Sequence, residues 1–311
     1  HRMMLRCVLF VLFATTIRAE STVQCSSKNH NLDDNLWFTE TTCVIPNLDE
    51  SHIDKVTAKL NLPSEEEIAL LDPTLPYLSA ELLNISNETK ILRIHEGHVP
   101  RVYLKPTLLE FLVIDSGTEE LLIDAVDNWV TTLLEVSANL LNHVPANVNR
   151  LKNLTKLYLC GNLIETVHMD HFNGLDKLHT LYLLANRINT ISTTNVVPLP
   201  SLRVFSASGN QLETLDISQW EMDKLTTLNV KRNKLQVIAG LENRFNQLEV
   251  LELRGNKVNC QWLNDVSKNR TFAGKLVISK PCDIHSWSEL CCEGDETAPD
   301  YLEHRQLTNA D

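Results

Sequence analysis

Several things are scarce in this chain, and each scarcity closes off a class of function. Basic residues are outnumbered, 28 Lys+Arg against 40 Asp+Glu, for a formal net charge of −12. That balance argues against a nucleic-acid backbone or an anionic membrane surface as the main partner. Glycine occurs only 9 times in 311 residues, and no phosphate-cradling glycine-rich loop is among them. Aromatics stand at only 6%. Beyond the N-terminus no apolar run reaches the length of a membrane span, because Asp124 and Asp127 interrupt the best stretch, Leu121 to Leu134. There is no G-x-S-x-G and no papain-like cysteine context, so neither an enzyme nor a cofactor is expected.

Leucine and asparagine are what the chain has in excess, 51 and 28 residues. A hydrophobic fraction of 43% can bury a substantial core, which excludes wholesale disorder. Length alone admits one or two domains.

Residues 1–19 read HRMMLRCVLFVLFATTIRA. Arg2 and Arg6 give a basic start, Cys7 to Ala14 an apolar run too short to span a bilayer, and Ile17-Arg18-Ala19 a cleavage site before Glu20. This is the plan of a secretory signal peptide, so the mature chain is expected to be soluble and extracellular. Of the 8 cysteines, Cys7 leaves with the leader; Cys25, Cys43, Cys160, Cys260, Cys282, Cys291 and Cys292 remain. Secretion exposes them to an oxidising compartment, where most are expected to pair. Four N-x-S/T sequons, at Asn84, Asn87, Asn153 and Asn269, are expected glycosylation acceptors.

A pattern L-x-x-L-x-L-x-x-N-x-L recurs along the chain. Leu154-Leu157-Leu159-Asn162-Ile164 is one copy, and Leu178-Leu181-Leu183-Asn186-Ile188 the next. Leu202-Phe205-Ala207-Asn210-Leu212, Leu225-Leu228-Val230-Asn233-Leu235 and Leu248-Leu251-Leu253-Asn256-Val258 continue it, and Thr131-Leu134-Val136-Asn139-Leu141 precedes it with a polar start. The asparagines at 139, 162, 186, 210, 233 and 256 are 23 or 24 residues apart. Two degenerate copies come earlier, Thr89-Leu92-Ile94-Gly97-Val99 and Leu109-Leu112-Ile114-Gly117; the second also reads from Leu108. A fainter copy falls near Leu60-Asn61-Leu62. Helical repeat families have longer periods, and L-x-L alternation is strand-like. Each copy therefore predicts one short strand whose leucines point inward and whose intervening residues point out. One coil cannot bury its own apolar edge, so coils stack and share a leucine core. A buried Asn at the turn can satisfy backbone groups of neighbouring coils, which explains its abundance.

A solenoid exposes its core at both ends and needs covers there. Cys25 and Cys43 enclose an Asn- and Asp-rich segment ahead of the array and form the expected N-terminal pair. Cys260, Cys282, Trp287 and the doublet Cys291-Cys292 suggest a second stapled cap. Two bonds would join Cys260 and Cys282 to the doublet, direct Cys291–Cys292 pairing being strained, and the connectivity stays open. Cys160 is then the leftover thiol on the strand face, unless it or one of the doublet bonds to another chain. The expected organisation is a leader at 1–19, an N-terminal cap at 20–55, about eight coils at 56–258, a C-terminal cap at 259–292 and an acidic disordered tail at 293–311.

With its leader, its Cys25/Cys43 pair, its array and above all the adjacent Cys291-Cys292, the chain resembles the mosquito leucine-rich repeat immune proteins, the LRIM group. The resemblance implies an α/β solenoid, a horseshoe with a parallel concave sheet and disulfide-stapled caps. It also implies a haemolymph protein whose partners are a complement-like thioester protein or another leucine-rich repeat protein. After Cys292 only EGDETAPDYLEHRQLTNAD follows, with no apolar heptads, so the likeness is to the coil-less or short members. An extracellular structural or adhesion glycoprotein on the same scaffold is the alternative function.

The expected binding surface is the concave sheet. Its outward positions read Arg93 and His95; Phe111, Val113 and Asp115; Leu133, Glu135 and Ser137; Lys156, Tyr158 and Cys160; Thr180, Tyr182 and Leu184; Val204, Ser206 and Ser208; Thr227, Asn229 and Lys231; Val250, Glu252 and Arg254. Tyr158 and Tyr182 should lie side by side near Lys156, Thr180 and Leu184, either as interface anchors or packed only on each other. Lys231 and Arg254 complete the candidate set, and the convex face is a rival surface. His95-Glu-Gly-His98 and His168-Met-Asp-His171 both show H-x-x-H, but neither is H-E-x-x-H on a helix. They are read as solvated loop histidines, and no metal site is expected.

Overall fold

The L-x-L alternation becomes strand in each of the six well-formed copies. A computed structural model describes residues 23–25, 42–54, 58–83, 85–241, 245–268 and 277–279. The expected leader and tail, Cys282, Cys291, Cys292, Asn84 and Asn269 lie outside the described residues, as does the side chain of Cys260. Eleven strands hydrogen-bond in chain order into one parallel sheet. They are β1 (Cys43–Pro46), β2 (Glu67–Leu71), β3 (Ile91–His95), β4 (Phe111–Asp115), β5 (Leu133–Glu135) and β6 (Lys156–Tyr158). β7 (Thr180–Tyr182), β8 (Val204–Ser206), β9 (Thr227–Asn229), β10 (Val250–Glu252) and β11 (Val277–Ser279) follow. Each strand pairs only with its neighbours in sequence, so the chain is a parallel-strand solenoid of about nine turns.

The return paths are short. Three two-stranded pairs, a three-stranded ribbon (Leu78–Ser79, Arg101–Leu104, Glu120–Ile123) and single turns of 3-10 helix cover the far side. Among the described residues α-helix is confined to Ala80–Leu83 and Cys260–Lys268. Between the two sides run the leucines of the repeat, joined by Phe172, Phe245 and an edge-to-face pair, Phe205 with Trp220, whose ring centroids are 5.0 Å apart. At the N-terminal end Cys25 and Cys43 are disulfide-bonded, as expected, with Cα atoms 5.1 Å apart.

One reading changes, and one alternative register is decided. The faint copy at Leu60-Asn61-Leu62 is not a strand: Leu60 is buried in the core with its N–H on the Leu82 carbonyl, and the strand of that coil is β2. Glu67-Ile-Ala-Leu-Leu71 buries its first four residues, so the alternation that marks other copies is missing from it. The degenerate fourth strand takes the register from Leu109, which is 4% exposed, and leaves Leu108 at 49%. Where Thr replaces the first leucine, its hydroxyl donates to the preceding coil: Thr89 Oγ1 to the Glu65 carbonyl at 2.7 Å, Thr131 Oγ1 to the Leu109 carbonyl at 2.9 Å.

The repeated asparagines are all buried and bridge adjacent coils. Asn162 Nδ2 donates to the Val136 carbonyl at 2.7 Å, Asn186 to Leu159 at 2.8 Å, Asn210 to Leu183 at 2.9 Å, Asn233 to Ala207 at 3.0 Å and Asn256 to Val230 at 2.9 Å. Each Oδ1 accepts a backbone N–H from the coil before, that of Leu141, Ile164, Ile188, Leu212 and Leu235 in turn. Gly97 stands in this position because the preceding coil comes too close. It has φ +71°, and a Cβ there would lie 2.1 Å from the Pro73 carbonyl oxygen. Backbone closes directly on backbone instead, His98 N–H on the Pro73 carbonyl at 2.7 Å.

Asn186→Ala leaves the Ile164 N–H unpaired in the interior and takes from the Leu159 carbonyl the shorter of its two amide donors, leaving it only Asn162 Nδ2 at 3.2 Å. It is expected to lower stability by about 1–3 kcal/mol in urea denaturation. An unchanged midpoint would remove the ladder from the account.

Candidate functional site

Strand register sets the concave face residue by residue. Lys156 aligns with Thr180, and Tyr158 with Tyr182. The two tyrosyl rings lie with centroids 5.2 Å apart and planes tilted by 39°. Both are half-buried, with half-buried Leu184 and Cys160 just past the ends of the same strands and exposed Lys156 at the edge. Burial pushes the Tyr158 hydroxyl up to about 12, helped by Tyr182, Glu135 and Cys160; burial and Cys160 also raise Tyr182. Both phenols therefore stay neutral at physiological pH. Lys231 and Arg254 are not part of this cluster. They lie beyond β8, brought together by the Arg232 N–H on the Arg254 carbonyl.

Three positions expected to point freely outward are buried: Val113, Ser206 and Ser208. They are small or branched side chains between taller neighbours, so the adjacent strands cover them.

The N-terminal half of the face carries charge that its surroundings poorly accommodate. Arg93 Nε bonds Glu67 Oε1 at 2.7 Å, both largely buried. Asp115 is pushed up to about 6, first by burial and then by Glu96 and Glu135. Glu135 is also raised by burial, against the opposing Ser137 hydroxyl and Arg93. His95 is pushed down to about 4 by burial, with Arg93 adding to the effect. Asp115, Glu135 and His95 were legible as outward positions but carried no sign of their electrostatics. Glu67 was not legible at all, because β2 has no alternation to fix its register.

His168 and His171 meet edge to face, ring centroids 6.1 Å apart, and His168 Nδ1 engages the Ser192 hydroxyl at 2.8 Å. Among the described residues no three His, Cys, Asp or Glu side chains gather as a metal site would need. No described helix is long and apolar enough to cross a membrane. Of the sequons, Asn87 is exposed, whereas Asn153 is half-buried with its Nδ2 on the Trp129 carbonyl at 2.7 Å.

The leucine rich repeat family matches residues 152–212. The fold is that of a leucine-rich repeat protein. The chain is 25% identical over 203 residues to the human leucine-rich repeats and immunoglobulin-like domains protein 1, covering 63% of itself and 16% of that relative. Among solved structures it is similar to the mosquito LRIM1/APL1C complex, with a TM-score of 0.52 at 18% identity, over 74% of this chain and 47% of that one. The LRIM1 leucine-rich repeat domain gives a TM-score of 0.50 at 21% identity, over 65% of this chain and 63% of that one. These likenesses speak for the fold.

The perturbed groups predict opposite pH effects. An aspartate raised from 3.8 to about 6 penalises the folded state when ionised, so its cost is present above about pH 6 and disappears toward pH 4. Asp115→Asn is therefore expected to be more stable than wild type at pH 7 and equal to it near pH 4. A histidine lowered from 6.5 to about 4 costs nothing at neutral pH and progressively more below about 6.5. His95→Gln should gain on wild type only on acidification. Urea midpoints across this range check both signs; a pH-independent difference for either variant contradicts the burial argument.

Proposed function

We propose that this chain is a secreted recognition protein of insect innate immunity that holds a protein partner or a microbial surface on its concave sheet. The observation that carries the reading is the Tyr158–Tyr182 pair, two neutral, half-buried rings on adjacent strands at the middle of the face. Paired aromatics on a rigid sheet offer large contact area for little entropy loss, as interface anchors do. The Cys25–Cys43 disulfide supports an oxidising compartment, and the leader-like N-terminus supports secretion. LRIM1, a structural neighbour, is solved in a complex with APL1C. By that analogy the partner class is another leucine-rich repeat protein, or the complement-like thioester protein implied by the LRIM resemblance. An adhesion glycoprotein would instead draw on sugar at exposed Asn87.

The test is capture from mosquito haemolymph on the immobilised full chain, followed by mass spectrometry with and without reduction. The reading expects a thioester or leucine-rich repeat protein in the captured set, and recovery cut to about a tenth by Tyr158→Ala with Tyr182→Ala. Recovery unchanged by the double substitution would remove the tyrosine patch. Capture of matrix components alone would favour the adhesion reading.

A further inference from the structure

The N-terminal half of the concave face keeps an apolar shelf open to solvent. Strand register puts Ile91 of β3, Phe111 of β4 and Leu133 of β5 in one row across the sheet. Phe111 is 37% exposed, and Ile91 and Leu133 are half-buried. With strands about 4.8 Å apart the three are neighbours, and the half-buried rings of Tyr158 and Tyr182 extend the surface onto β6 and β7. The repeat does not demand apolar residues in this row. Its later members are Lys156, Thr180 and Thr227, with Val204 between the two threonines. An apolar run confined to three adjacent strands of a rigid face is the mark of a contact site.

Charge beside the shelf selects the occupant. Glu135 lies two residues from Leu133, and Asp115 closes β4 in register with His95. Exposed Glu96 follows His95 at the turn. Asp115 therefore meets like charge from both Glu96 and Glu135. The guanidinium that reaches this region, that of Arg93, is bonded to Glu67 at 2.7 Å, and its pull on Glu135 is outweighed by burial. His95 is neutral at physiological pH. At the other end of the row Lys156 stands exposed beside Leu133. The negative flank of the shelf is thus the flank of Asp115 and Glu135.

We propose that this shelf docks a loop of a protein partner that inserts an apolar side chain over Phe111 and Leu133 and lays a Lys or Arg beside Asp115 and Glu135. Covering the Phe111 ring supplies contact area, and the partner's cation meets carboxylates that the fold leaves among like charge. Lys156 fixes the direction of approach by repelling a cation placed toward β6. The inference rests on the concave-sheet reading above and names the partner's chemistry.

A phage-displayed random peptide library selected on the full chain supplies the probes. Selected peptides are made synthetically and titrated near pH 7 against wild type and three variants. These are Phe111→Ser, Asp115→Asn with Glu135→Gln, and Tyr158→Ala with Tyr182→Ala. The shelf predicts peptides that pair an apolar residue with Lys or Arg, and a loss of at least about tenfold when that Lys or Arg becomes Gln. The same loss is expected with Phe111→Ser and with the carboxamide pair. Removing the buried carboxylates is expected to stabilise the fold at neutral pH, so weaker binding in a chain that unfolds no earlier reports recognition and not damage. Thermal unfolding is measured on each variant, and if Phe111→Ser unfolds early, the carboxamide pair and the peptide substitutions decide. Peptides indifferent to their own basic residues and to the carboxamide pair overturn the basic partner, whether or not they need Phe111. If such peptides still lose affinity when the two tyrosines are removed, concave recognition survives without it. Indifference to every variant, or a library that yields no binders, overturns both.

Discussion

A side-chain amide past the end of each strand from β5 to β10 has to serve two coils at once, and the solenoid is organised around that requirement. The backbone turns sharply there, which strands a carbonyl and an N–H away from water, and an amide is short enough and two-faced enough to satisfy both. Asn186 shows the pattern in full: Oδ1 takes the Ile164 N–H while Nδ2 reaches the carbonyls of Leu159, Leu183 and Leu184. Leucine burial drives the coils together, but leucine is non-directional. The amides supply direction, holding each coil at one rotation and one rise relative to the last. That in turn puts Tyr158 beside Tyr182 and Ser206 between Tyr182 and Asn229.

The same logic explains the N-terminal coils, where the asparagines give out. At Gly97 the Asp72–Pro73 backbone occupies the space a side chain would need, so the coils lock by main chain alone. At the next coil Thr118 takes part of the amide's work, its hydroxyl donating to the Val99 carbonyl at 2.9 Å. This half of the face also holds buried charge, Arg93 against Glu67 and an elevated Asp115. The two halves thus differ in how they are held as well as in what they present. One is acidic and locked by backbone, the other is amide-laddered and basic toward its end.

How far the sequence could be read follows from this. Six asparagines at near-constant spacing expose the ladder directly, and alternation places the tyrosine pair, because register between identical repeats needs no structure to deduce. β2 was hidden because Glu67-Ile-Ala-Leu-Leu71 is buried on both faces, under Arg93 on one side and the core on the other. β1 was hidden because Cys43-Val-Ile-Pro46 is too short to show a period. Leu108 and Leu109 are equivalent as letters, and only packing separates them. The burial of Ser206 and Ser208 was out of reach for a different reason: it depends on the heights of residues more than twenty positions away. The electrostatics of Asp115 and His95 likewise belong to the assembled face and not to either strand.

The claim that the amides, and not leucine burial alone, hold the coils in register is tested most directly by native-state hydrogen exchange. The backbone N–H groups of Leu141, Ile164, Ile188, Leu212 and Leu235 are each bonded to an asparagine Oδ1 of the next coil. The account predicts that these five exchange as slowly as the N–H groups at the centre of the parallel sheet, opening only with the coils themselves. Exchange at the rate of exposed-turn amides, with the sheet still protected, would contradict it.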